Sequence, residues 1–98
     1  MAVNTIKKAS FFDFTYMSNV DLNSMIESGC FFVDGGTNYP AGTNGYLIVL
    51  NETSQVRVKQ FFFRHGTLLT NSMEWYGRDI RKDGTSIGDW YKITNTKV

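Results

Sequence analysis

The chain has 98 residues, 42% of them hydrophobic and 15% aromatic, led by eight phenylalanines; this suffices for one core and is too little for a second. Ten basic and nine acidic side chains leave a net charge of +1. With no run of like charge beyond Lys7 and Lys8, that balance argues against duplex nucleic acid or an anionic membrane surface as the main partner.

Residues 1–10 are small and polar and read as a lead-in or linker. Residues 11–16 are dense in aromatics, and alternation places Phe12, Phe14 and Tyr16 on one face of a short first strand. Ser18, Asn19 or Asp21 can then cap a brief helix reaching about Glu27, with Leu22, Met25 and Ile26 on one side and Gly29 where a helix end wants glycine. The domain division expected from this is a lead-in over 1–18 and a folded unit over 19–98.

Residues 30–34 form the next expected strand, closed by Gly35 and Gly36. Cys30, the only cysteine, lies inside its apolar run and reads as a small buried hydrophobe. A long loop follows over 37–45, rich in turn formers and holding the only proline, Pro40. A loop of that length in a small domain usually has work beyond connection. The unbroken apolar run 46–50 fits a central strand covered on both faces.

After a tight turn at 51–54, residues 55–65 return as a long strand in which Val56 and Val58 alternate with Arg57 and Lys59. Phe61, Phe62 and Phe63 break that alternation. Either both faces are covered there or a bulge near Gln60 re-aims the strand, and an exposed face carrying such rings would point to contact with a copy or a neighbouring domain. His65, Gly66 and Thr67 turn the chain, and 68–72 lead to a strand over 73–80 in which Glu74, Tyr76 and Arg78 oppose Met73, Trp75 and Gly77. Lys82, Asp83 and Gly84 give a turn, residues 88–93 a last strand, and 94–98 a tail. The fold class expected is α+β: a single domain with a small antiparallel β-sheet of about five strands packed with one short helix.

A catalytic set does not emerge. His65 is the only histidine and no serine or cysteine elbow accompanies it. Asp79 with Asp83, flanked by Arg78, Arg81 and Lys82, reads as a solvated charged hairpin rather than a glycosidase pair. One histidine and one cysteine cannot build a zinc site, and the 34–38 segment lacks the dense acids of a calcium loop. No enzyme activity, metal or cofactor is expected. No apolar segment approaches the roughly 18 residues of a membrane span, and the N-terminus has no signal-peptide core.

What remains is recognition by rings and amides. Sugars are held by aromatic faces against C–H surfaces and by amides or carboxylates on hydroxyls, in shallow sites that need no perturbed pKa. Asp34, Asn38, Tyr39 and Asn44 in the long loop, with Trp75 or Tyr76 on a strand, have that chemistry; the plainer alternative makes the tryptophans core and the loop amides partners of their own backbone.

The ordered set Asp21, Leu22, Asn23; Gly29 with Phe31, Phe32, Val33; Asn38, Tyr39, Pro40, Gly42; and Gly45 through Leu50 resembles the pyocin knob domain of phage tail fibres and related bacteriocin fibres. Val58, Gln60, Phe61 and Phe62, then Tyr76 with Arg78, then Asp83, Gly84 and Trp90, Tyr91, Lys92, Ile93 look like that family's later strands, so the likeness runs from about Asn19 to Thr94. Ile87 stands near where the family carries a first closing tryptophan. The resemblance implies a non-enzymatic knob module of a trimeric, elongated receptor-binding fibre or baseplate protein. Its location would be the virion, and its contacts bacterial cell-surface polysaccharide and neighbouring fibre domains. A structural or trimerisation spacer in the same fibre, or an ancillary module of a polysaccharide depolymerase, are the alternatives.

Overall fold

The computed structural model describes residues 13–66 and 74–93. The expected lead-in over 1–10, Phe11 and Phe12, the link over 67–72 with Met73, and the tail over 94–98 lie outside the described residues. Six strands form one sheet in sequence order: β1 (Phe14–Asp21), β2 (Gly29–Thr37), β3 (Asn44–Leu50), β4 (Arg57–Arg64), β5 (Trp75–Arg81) and β6 (Tyr91–Ile93). The five strands β2 to β6 are antiparallel, as expected. The expected short first strand is present as β1, extended to Asp21, and lies at the edge beside β2 and parallel to it, so the sheet has six strands and is mixed. The expected division after residue 18 falls inside β1.

The expected helix shrinks to one 3-10 turn, Leu22–Ser24, capped where Asp21 accepts the backbone N–H of Asn23 at 2.9 Å. Ser18 and Asn19 belong to β1 instead. A parallel connection usually takes a dozen residues or more, whereas residues 22–28 manage it with seven. The hydrogen bonds show how: the carbonyls of Leu22 and Met25 accept the Gln60 amide at 2.7 and 2.9 Å, in the middle of β4. The end of β1 thus curls over the sheet instead of running past its edge. Asn19 (φ 54), Gly35 (φ 84) and Gly36 (φ 117) supply the bend. At Gly36 a Cβ would collide with the Val20 backbone, so only glycine fits the paired ends of β1 and β2.

The strand register sorts the side chains onto two faces. The inner face carries Phe31 and Val33 (β2), Leu47 and Val49 (β3), Val58, Gln60 and Phe62 (β4), and Tyr76, Arg78 and Ile80 (β5). Leu22, Met25 and Ile26 of the crossover, Tyr39 and Ala41 of the 38–43 loop, and Trp90 cover it, and together they make the core. Across the three phenylalanines the β4–β5 register is continuous, with no bulge at Gln60: Phe62 points inward, Phe61 and Phe63 outward. The expectation that the 46–50 run is covered on both faces is corrected as well. Leu47 and Val49 are fully buried, but Tyr46 and Leu50 keep 42% and 44% of their surface. Cys30 is buried, as expected, and burial raises its thiol above the ordinary value.

Candidate functional site: the open aromatic face

The outer face of the sheet is built by alternation alone. The register aligns Tyr16, Phe32, Tyr46, Phe63, Trp75 and Ile93, one from each strand, in a single row across the whole sheet. A second row holds Phe14, Cys30, Ile48, Phe61, Gly77 and Tyr91. The rings support one another: Phe32 meets Tyr46 edge-on at 5.0 Å, Phe14 meets Tyr46 at 5.2 Å, and Phe63 stacks on Trp75 at 5.3 Å and 4°. Such pairs add about 0.5–1.5 kcal/mol each beyond burial. Beyond the rings, Leu50, Lys59 and Asp79 continue in register, and the Lys59 ammonium bonds Asp79 at 2.9 Å.

A groove of about 370 Å³ opens on this face over β4, β5 and β6, lined by Lys59, Phe61, Gly77, Arg78, Asp79, Gly88, Asp89, Tyr91 and Ile93. Its floor exists because residue 77 is glycine. The Phe61 ring lies where a Cβ there would meet it at 3.2 Å, so the ring settles onto the β5 backbone. Gly88 serves the far wall: its N–H bonds the Asp79 carbonyl at 2.8 Å, and that close approach brings Asp89 beside the strand. Tyr91 stands 68% exposed at the rim.

The residues singled out from the sequence divide between the two faces. Asp34 and Asn44 are register partners at the end of β2 and β3, and Trp75 lies in the aromatic row, all on the outer face. Asp34 accepts the Tyr16 hydroxyl at 2.8 Å, a bond that raises the Tyr16 phenol above its ordinary value.

The other three residues serve the fold. Asn38 (φ 68) donates its amide to Asp21 at 2.6 Å, and its carbonyl accepts the Trp90 indole N–H at 3.0 Å. Tyr39 donates to the Gly35 carbonyl at 2.7 Å and packs edge-on against Phe62. Tyr76 faces the core with its hydroxyl on Glu74 at 2.8 Å. The long loop is therefore tied down by its own polar groups and roofs the core. Sequence reasoning missed Tyr16, Phe32, Tyr46, Lys59, Asp79, Asp89 and Tyr91 as one surface; the period-two spacing of Phe61 with Phe63 and of Trp75 with Gly77 was the available signal.

The carboxylates with depressed values are held by local hydrogen bonds rather than by a buried reaction site. Asn38 first and the Asn23 backbone second keep the Asp21 carboxyl below its ordinary range. Tyr76 and Arg64 do the same for Glu74. No group of three His, Cys, Asp or Glu is placed to hold a metal ion among the described residues, and no helix there is long and apolar enough to cross a membrane. Compared with models of protein families, with curated proteins and with solved structures, the chain matches none.

Proposed function

We propose that this chain is a non-catalytic attachment module, a knob of a phage or phage-like tail fibre that contributes to binding a bacterial surface glycan through its open sheet face. The observation that carries this is the aromatic row from Tyr16 to Trp75, which lies on the face opposite the loops that roof the core and keeps part of its surface exposed. A chain that leaves several aromatic rings part-exposed side by side on one sheet face uses that surface for contact. The ordered likeness to the pyocin knob points to envelope glycan as what it meets, and to a homotrimer on a virion as its setting. Several weak sites presented together gain strongly from avidity, so shallow recognition suffices.

The test is adsorption of the 98-residue chain to isolated envelope polysaccharide, alone and as the Trp75→Ala variant. Binding by the native chain that falls in the variant is expected; a native chain that adsorbs to no envelope polysaccharide removes the reading. One observation favours a second function, that of a spacer bracing the fibre: Asn38 and Tyr39, in the loop expected to make contact, are bonded internally. A full-length fibre that adsorbs unchanged after deletion of this module would select the spacer.

A further inference from the structure

From the groove over Gly77 we infer a saccharide-binding subsite, selective for uncharged sugar units over acidic ones. The inference rests on the attachment reading above and gives it a place on the face and a ligand class. Its floor is the cross-strand trio Phe61, Gly77 and Tyr91, aligned in one register row of β4, β5 and β6. With no Cβ at Gly77 the Phe61 ring lies flat over the β5 backbone, and with the exposed Tyr91 ring beside it forms an aromatic floor of the kind that accepts the C–H face of a pyranose.

The polar groups stand where hydroxyls would project. Asp79 spends one carboxylate oxygen on Lys59, leaving the other as an acceptor, and the Lys59 ammonium keeps further N–H donors after that single bond. The Asp89 carboxylate and the Tyr91 hydroxyl take no hydrogen bond among the described residues. A carboxylate accepts from two hydroxyls at once, and an ammonium donates to the hydroxyl oxygens, so one sugar edge can satisfy groups of both kinds.

Charge sets the selectivity. Arg78 lines the groove too but turns its guanidinium to the inner face, onto Gln60 and Trp90, so the charged side chains left on the outer face are Lys59 with one positive charge and Asp79 and Asp89 with two negative ones, and that balance repels a uronate or sialic carboxylate. The volume is at the lower end of the range for small-ligand sites and open to solvent along the sheet, which suits a short stretch of a longer polysaccharide.

The experiment is an amide-shift NMR titration of the 98-residue chain with cellohexaose, chitohexaose and mannohexaose as neutral probes and oligogalacturonate as the acidic one. At least one neutral probe should shift the amides of Phe61, Gly77, Asp79 and Tyr91. Tyr91→Ala should weaken that probe at least tenfold while the remaining spectrum stays native, and oligogalacturonate should bind at least tenfold more weakly. The assignment is overturned if no neutral probe moves these amides, if the acidic probe binds as well, if Tyr91→Ala binds unchanged, or if an extended peptide along β6 occupies the groove in preference to every sugar. Equal adsorption of native chain and Tyr91→Ala to envelope polysaccharide would overturn the subsite and leave the attachment reading standing; failure of the native chain to adsorb at all would remove that reading.

Discussion

At the scale of single residues, the polar groups under the roof decide how the loops are held. Gln60 is fully buried, and Arg78 keeps 7% of its surface. Arg78 donates to the Gln60 carbonyl oxygen at 2.8 Å and lies 4.2 Å over the Trp90 ring, while the Gln60 amide bonds the Leu22 and Met25 carbonyls. Burial lowers the Arg78 pKa to about 10, and the Asp21 carboxylate opposes that shift, while the Gln60 oxygen and the Trp90 ring give the guanidinium its contacts. Gln60→Ala should therefore destabilise the fold by about 3 kcal/mol, since it strands two carbonyls and a buried guanidinium together; a urea denaturation curve measures it, and a loss under about 1 kcal/mol would contradict the network. A second expectation concerns acid. The folded-state pKa of Asp21 lies below the ordinary 3.8, so the stability it contributes is fully present above that value and is lost as the pH falls through the folded pKa. In Asp21→Asn the urea midpoint should drop less between pH 7 and pH 3 than in the native chain, and an equal drop would show that Asp21 is not part of the acid response. Glu74, Glu52 and Asp83 are shifted the same way, so the variant keeps part of the slope.

At the scale of elements, β4 shows why three consecutive phenylalanines need no distortion. Phe62 takes the core side, fully buried between Tyr39 and Trp90, whereas Phe61 and Phe63 serve the outer surface and retain part of their exposure. The same substitution should then have unequal costs. Phe62→Ala is expected to lose about 3–5 kcal/mol. Phe63→Ala, whose main ring partner is Trp75, should lose no more than about 1.5 kcal/mol, the scale of one aromatic pair. Matching losses in chemical denaturation would mean that the outer face is covered as fully as the inner one. The β1–β2 pair depends on a different device, the bend at Asn19, Gly35 and Gly36, and this lets seven residues make a parallel return.

At the scale of the molecule, the described residues roof one face of the sheet. Its inner face is sealed by segments of the same chain, and its outer face presents rings that, partly exposed, leave on the order of 500 Å² of apolar surface. A patch of that size lies at the upper end for a monomer and approaches one side of a standard interface. The native chain should therefore associate with itself as its concentration rises, and the doubly substituted Tyr46→Ser, Trp75→Ser chain should stay monomeric while remaining folded. Sedimentation velocity checks this; a native chain that is monomeric at all concentrations would show that the rings need no protein partner.

Local chemistry determined much of this protein from its sequence. Alternation in 57–64 and 75–81, the turn at Lys82 to Gly84, the buried state of Cys30 and the predominantly β character all follow from short-range rules that register need not inform. The β1 extension, its parallel pairing and the collapse of the expected helix to one 3-10 turn were not legible. They depend on Gln60 reaching, 35 and 38 residues away in sequence, the carbonyls of Met25 and Leu22. The candidate site divides in the same way. The sequence supplied its chemistry, aromatic and amide recognition, and placed Trp75, Asp34 and Asn44 among the candidates. Only the tertiary structure decided which rings share a face, because the row from Tyr16 to Ile93 is set by six strands in mutual register, and no one strand carries that register in its own residues.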